Sequence, residues 1–435
     1  MSVNLSQLIE GGAIEKIPPS PELIHEILSP RRELVPACQL LTSCIMRLRN
    51  FAESMRVLWV GLENEDTGHI VDWIIASLIA RENVLLIGPP GCAKSEIATR
   101  TFELLGLCGP EVDMEGIQKS LQNEKGSRAW WSERETLERK KQKFFHYLLS
   151  RYTQPEELFG PVELGLLKEG VLARVNFGLL TGPGVYGAFL DEIFKASSSI
   201  LNTLLTLTQE RKYFNWGGMV SSDLLMFIGA SNEMPGGFAS GMMGAGTGAE
   251  DFQTLYAFLD RFPMRMDIPL ASSDVDKEYT SDLSKAFRIA LERESHKFTT
   301  GHLFDKPGND MPSIIEVLIT GRCIMQDCLN GSLLFKNKNL QSFREHFMNI
   351  GRDLMENSTP VTGDVSWTIS PRKLKALYKI ALAHAVLTDR SYDSFGKLIS
   401  LTSTQLKVFK FIWDTPLQKN ELSERVNLEV DHARL

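Results

Sequence analysis

Apolar residues recur along this chain with two different periods. Val84-Leu85-Leu86-Ile87, Gly187-Ala188-Phe189-Leu190 and Leu224-Leu225-Met226-Phe227-Ile228 are short unbroken apolar runs, the pattern of strands buried on both faces. Residues 65–82 repeat with a helical period and predict an amphipathic helix entering the first strand, capped by Asp66 or Thr67. Residues 1–55 read as helical, broken at Pro18-Pro19-Ser20-Pro21 and at Pro30, and suggest an appendage or a subunit contact. Within the strand-bearing region, residues 115–146 carry many charges and a Trp130-Trp131 pair, and predict a helical insertion. Glycines at 160, 165, 170 and 178 separate short alternating runs that predict a hairpin over 163–174, and residues 213–222 predict a second turn. Residues 235–249, rich in glycine and methionine, predict a mobile loop. Past about residue 271 the strands stop. Helical periodicity then covers 280–294, 312–328, 339–356 and 371–388, and an apolar tail helix includes Leu406, Phe409 and Trp413. The expected division is a helical extension over 1–60, an α/β core over 61–270, a helical lid over 271–398 and a helical tail over 399–435.

The chemistry lies where the strands end. Gly88-Pro89-Pro90-Gly91-Cys92-Ala93-Lys94-Ser95 follows the first apolar run and opens a helix. This is a Walker A-type phosphate loop, in which successive backbone N–H groups and the helix dipole face an anion. The phosphate-binding set extends through Glu96, with Lys94 reaching terminal phosphates and the Ser95 hydroxyl on Mg²⁺. Ala93 stands where the usual pattern has glycine. Alanine tolerates positive φ poorly, so the position is expected near helical φ/ψ. The second apolar run ends in Asp191-Glu192, a Walker B arrangement in which Asp191 holds Mg²⁺ and Glu192 activates water. The third is followed by Asn232, placed where open α/β sheets bind ligands. Arg261 closes an amphipathic stretch. Arg372 lies in the first turn of a helix with Ser370 as N-cap and Pro371 at the first position. The helix dipole disfavours a cation there, and an anionic ligand would account for it.

In that order, these segments resemble the MoxR family of AAA+ ATPases, RavA-like members included. The resemblance rests on residues 88–95, Phe-Leu-Asp-Glu-Ile-Phe-Lys-Ala (189–196), Ile-Leu-Asn-Thr-Leu-Leu-Thr-Leu (200–207), Gln-Glu-Arg-Lys (209–212), Ala-Ser-Asn-Glu-Met-Pro (230–235) and Leu-Asp-Arg-Phe (259–262). It implies a P-loop NTPase with a three-layer α/β/α core, a parallel sheet and an all-α lid. ATP and Mg²⁺ are the implied cofactors. Lys94 and Ser95 match Walker A, Asp191 and Glu192 match Walker B, and Asn232 matches sensor 1. Arg261 is similar to the arginine finger that reaches a neighbouring subunit's nucleotide, with Arg265 as second candidate, and Arg372 to sensor 2 on the lid. The family further implies a homo-hexameric ring that remodels a client protein, chaperone-like, alongside a von Willebrand A-domain partner. Two alternatives stand beside it: an ATP-dependent assembly scaffold with little turnover, and a nucleic-acid or defence-system motor.

Composition narrows these alternatives. A net charge of −7 argues against binding nucleic acid through a broad basic surface. The basic cluster Arg134, Arg139, Lys140, Lys141 and Lys143 is interleaved with Glu133, Glu135 and Glu138, which fits a solvated helix. No apolar run reaches 18 residues, so no membrane span is expected, and no signal peptide is legible at the start. Six cysteines show no metal-binding spacing, with Cys323 and Cys328 expected in the core of one helix, and the cytoplasm is the expected compartment.

Overall fold

The computed structural model describes residues 21–29, 38–59, 62–64, 67–107, 143–176, 178–215, 217–232, 257–268, 311–330, 333–356, 369–389, 399–413 and 416–432. Helices α1 (Pro21–Leu28) and α2 (Cys38–Leu58) lead to a two-residue ribbon, β1 (Glu63–Asn64) with β2 (Gly68–His69), and then to α3 (Ile70–Ala80). Strand β3 (Val84–Ile87) and helix α4 (Lys94–Leu104) bracket the glycine-rich loop. Next come β4 (Phe144–Leu148), short helices α5 (Pro155–Phe159) and α6 (Leu164–Lys168), and β5 (Gly187–Asp191). Helix α7 (Ser198–Glu210) precedes the hairpin of β6 (Lys212–Asn215) and β7 (Gly218–Ser221), followed by β8 (Met226–Ser231) and β9 (Met264–Asp267). The remaining elements are α8 (Ile314–Asn330), α9 (Asn337–Glu356), α10 (Pro371–Thr388), a 3₁₀ segment (Ser403–Phe411) and α11 (Pro416–His432).

The strands form one sheet in the order β4-β5-β8-β3-β9, with every neighbouring pair parallel. Residues of β3 and β8 are buried throughout, as a central parallel strand covered on both faces requires. Parallel pairing aligns all C-terminal strand ends at one edge. Ile87, Asp191 and Ser231 therefore finish together, and the loops that follow them share one crevice.

Several expectations are corrected. The helix predicted over 65–82 covers only Ile70–Ala80, because Gly68–His69 pair with Glu63–Asn64 instead. His69, not Asp66 or Thr67, is its cap, accepting from the Val71 N–H at 3.3 Å. It is not amphipathic: all eleven residues are buried, since α2, α8 and α10 pack around it. Asp72 survives there by pairing with Arg56 at 2.8 Å, and Trp73 stacks on His384 of α10 at 3.8 Å between ring centres.

The N-terminal helices are not an appendage. Helix α1 packs on α8, and α2 packs on α3, α8 and α10. Arg49 donates to the Val386 carbonyl at 2.9 Å, and Arg47 pairs with Glu316 at 3.6 Å. The tail segment is 3₁₀ rather than α-helical and docks on α9, α10 and β9.

The hairpin predicted over 163–174 reduces to one bridge, Val162 to Arg174, around a helical turn at Leu164–Lys168 whose Gly165 amide donates to the Glu163 side chain. Residues 213–222, expected as a turn, are the β6–β7 hairpin. Cys323 and Cys328 do share one helix, α8. Residues 115–142 of the predicted insertion, the 235–249 loop and the 280–294 helix lie outside the described residues. The insertion was expected to reach 146, but β4 already begins at Phe144. Among the described residues no helix is long and apolar enough to cross a membrane.

Candidate functional site

The glycine-rich loop leaves β3 tightly packed. A side chain at Gly88 would place its Cβ 2.3 Å from the Ile268 carbonyl oxygen, so only glycine fits there. Gly91 takes φ +82° over open space. Ala93 departs from expectation: it caps α4 in the left-handed region, at φ 69° and ψ 24°, and not near helical φ/ψ. An alanine in that conformation costs about 1–2 kcal/mol. The loop takes the turn that glycine usually takes in this motif, and the structure carries the cost at a functional position.

Lys94 is 6% exposed, and its ammonium donates to the carbonyls of Gly88 (2.6 Å) and Pro89 (3.1 Å) and to the Asn232 amide oxygen (2.9 Å). Among the described residues no carboxylate pairs with it, so a buried cation faces the loop with room for an outside anion. The Ser95 hydroxyl donates to Asp191 Oδ2 at 3.0 Å. Asp191 Oδ1 in turn accepts the Glu192 N–H at 2.9 Å. Glu192 sits just past the strand end at φ 52°, a strained position that turns its carboxylate toward Asn232, whose amide donates to Glu192 Oε1. Lys195 pairs with the same carboxylate at 3.2 Å. Cys92 lies 3.7 Å from the Lys94 ammonium, yet burial outweighs that charge and pushes its thiol up, away from thiolate chemistry. The fold thus brings Lys94, Ser95, Asp191, Glu192 and Asn232 into one hydrogen-bonded set, drawn from the start of α4 and the ends of β5 and β8.

Arg261 and Arg372 are not in that set. Arg261 precedes β9, at the sheet edge where the strands begin, about 13 Å away by the length of a four-residue strand. Its guanidinium donates to the Ala257 carbonyl (2.5 Å) and to Gln209 Oε1 (3.0 Å). Its backbone carbonyl accepts from Asn83 at 2.9 Å, and Asn83 also donates to Thr208. Arg372 joins the same edge: it reaches Asp260 Oδ2 at 3.7 Å, beside Arg261 at 4.0 Å. Lys373 lies 3.9 Å from Asp260 Oδ1. Burial, and then repulsion from Arg265, pull its ammonium down to about 7. Three cations therefore share one carboxylate. Arg265 cannot serve as a finger: it is 1% exposed and donates to the carbonyls of Ile412 (3.1 Å), Trp413 (2.8 Å) and Leu259 (3.0 Å).

Sequence reasoning missed Asn83, Gln209, Asp260 and Lys373 as parts of this edge. Asn83 left one signal, a lone amide immediately before an apolar strand.

Comparison with known proteins agrees with this geometry. A family model described as the MoxR domain in the MoxR–vWA–β-propeller ternary systems matches residues 46–108 and 134–297, more than half of the chain. Two uncharacterised proteins of Methanocaldococcus jannaschii are each 30% identical over 196 residues, 45% of this chain and 39% and 38% of theirs. A structural protein of the Acidianus two-tailed virus is 32% identical over 135 residues, 30% of this chain and 19% of its own. The chain thus spans well under half the length of the curated relatives it matches. A putative ATPase of Cytophaga hutchinsonii aligns in structure with a TM-score of 0.51, covering 89% of this chain and 94% of that one at 12% identity, a likeness of fold alone. With a phosphate loop, paired carboxylates and a strand-end asparagine gathered at one edge of a β4-β5-β8-β3-β9 parallel sheet, and with the family model covering most of that core, the chain belongs to the MoxR family of AAA+ ATPases.

Proposed function

We propose that this protein hydrolyses ATP within a homo-hexameric ring and uses the energy to remodel a client protein. The observation that carries the reading is the linked set Lys94–Asn232–Glu192, with Ser95–Asp191 beside it. Lys94 and the loop amides from Gly91 to Ser95 hold the phosphates, and the helix behind them adds its dipole. A Mg²⁺ held by Ser95 Oγ and Asp191 would neutralise phosphate charge. With Ser95 and Asp191 as its protein ligands, such an ion would take its other ligands from phosphate and water. Glu192 accepts the proton of the attacking water, and Asn232 fixes the orientation of that carboxylate through its amide.

Arg261 and Arg372 face away from their own subunit's loop. In the ring reading they serve the neighbouring subunit's ATP, so that turnover depends on assembly. This modifies the expectation that Arg372 senses the nucleotide of its own chain. The family model is described from systems in which a von Willebrand A domain accompanies the MoxR domain. A partner of that kind is proposed here, acting with this chain in the cytoplasm.

Two variants test the site. Lys94→Ala is expected to weaken ATP binding by about ten- to a hundredfold, the value of a charge-assisted contact. Glu192→Gln is expected to keep binding and to lose turnover by about 10²–10⁴. Binding by calorimetry and steady-state phosphate release read the two separately. Normal turnover by Glu192→Gln would overturn the assignment of the general base.

A further inference from the structure

The edge of the sheet away from the phosphate loop holds a second feature that the nucleotide chemistry does not use. A cavity of about 500 Å³ lies where α1, the end of α3, the end of α7, β7, α8 and α10 meet. That is the size of a small-molecule site. Ile24, Leu28 and Leu318 supply apolar lining, and Arg81 and Arg211 also line the cavity.

The two arginines are only weakly compensated: the Glu82 carboxylate favours both charges, but burial outweighs it. Among the described residues neither is in an ion pair. Arg211 spends one nitrogen on Asn83 Oδ1 at 2.7 Å, while its Nη1 is buried with no hydrogen-bond partner. Arg81 makes no side-chain hydrogen bond at all, and its Nε is likewise buried and unpartnered. Burial holds both guanidiniums below the ordinary arginine range, and Arg81 adds a repulsive push on Arg211. The carboxylates around the cavity compensate only in part. Glu82 favours both guanidinium charges but pairs with Lys379, Asp223 accepts the Gly184 N–H at 2.8 Å, and Glu210 is exposed. Arg322 adds another cation to the lining.

Two unpaired buried guanidiniums at one cavity are costly, and an anion entering the cavity would offset that cost. The planar fork of each guanidinium suits an oxyanion with two acceptor oxygens. Both arginines also occupy the left-handed region at helix ends, at φ 58° and φ 56°, where glycine is the usual residue. The backbone there does not call for arginine, so its presence is left to the side chain. We propose that this cavity binds a small polyanion carrying phosphate or carboxylate groups, held by Arg81 and Arg211. Because its walls come from α1, the elements around the sheet and the later helices α8 and α10, bound ligand would fasten these parts together. The cavity shares Gln209 with Arg261, which gives the ligand a direct route to the proposed finger.

Hydrogen exchange on the full chain tests this in a Lys94→Ala background, which weakens the phosphate loop as a competing site. Sodium pyrophosphate and sodium citrate are the probes, with sodium chloride at matched ionic strength as control. Exchange over residues 208–223 is expected to slow, approaching about a hundredfold with probe at about a hundred times its Kd. Pyrophosphate protection marks a phosphate ligand and citrate protection a carboxylate one. Arg81→Gly removes the guanidinium while suiting the left-handed backbone, so the chain should still fold. It is expected to abolish protection and to raise the melting temperature without probe. Absence of protection by either probe, or equal protection in Arg81→Gly, overturns the proposal, as does a lowered melting temperature in that variant.

Discussion

The two edges of the central sheet are built from the same five strands but solve opposite electrostatic problems. Where the strands end, polar groups are hydrogen-bonded within the chain: Glu192 meets Lys195 and Asn232, Asp191 meets Ser95, and Lys94, with no carboxylate beside it among the described residues, is held by carbonyls and Asn232. Where the strands begin, Arg261, Arg372 and Lys373 crowd one carboxylate, Asp260. The first edge is close to complete within one subunit. The second carries surplus positive charge that an anion from outside would satisfy. In the proposed ring, such a surplus would meet the neighbour's nucleotide, and the arginines would then have no need of their own phosphate loop.

The sharpest break of this comparison is Arg261→Ala. Loss of an arginine finger costs about 10³–10⁵ in turnover. ATP binding should be unchanged, because Arg261 does not touch the loop. Mixing these subunits with Lys94→Ala subunits, which keep the finger, should restore part of the activity. A mixture no more active than its components would place Arg261 in a purely structural role, bracing Gln209 and Ala257.

A smaller loss is expected from Arg372→Ala, about ten- to a hundredfold in turnover, the value of one hydrogen bond to a charged group. The same mixing assay decides which nucleotide it serves. Complementation by Lys94→Ala subunits places it across the interface. A narrowed gap between ATP and ADP affinity in dissociated subunits would return it to its own chain.

The gentlest test concerns Lys373. Its folded value of about 7 lies below the ordinary lysine value of 10.5. Between those values the unfolded chain holds a proton that the folded chain has released, so this group's contribution to stability rises as pH increases from 7 to 10.5. The limiting slope is about 1.4 kcal/mol per pH unit. Denaturant titrations across pH 7 to 9 should show a rise that Lys373→Met flattens. An unaltered slope in the variant would mean that Asp260 keeps the ammonium charged.

Motifs confined to a few consecutive residues were legible without a structure. Gly88 to Ser95 and Asp191-Glu192 each carry their chemistry in local order, since a strand that stops at a glycine or a carboxylate fixes where that group emerges. The apolar runs of β3, β5 and β8 announced themselves because a buried parallel strand has no polar face to interrupt it. Even so, local reasoning failed at Ala93: steric preference argued for helical φ/ψ, and the demand of the loop overrode it. It failed also for α3, whose polar positions suggested a wet face that α2, α8 and α10 cover.

The sequence by itself determined the fold class, the phosphate loop and the paired carboxylates, because each depends on neighbours within a few residues. Only the tertiary structure decided that α1 and α2 belong with the later helices, that Arg265 is sealed beneath the tail, and that Arg372 stands beside Arg261. Those facts depend on contacts between residues more than a hundred positions apart, such as Arg372 with Asp260 or Arg265 with Trp413. No local period encodes such contacts. They follow from which faces remain to be covered once the sheet and its helices have formed.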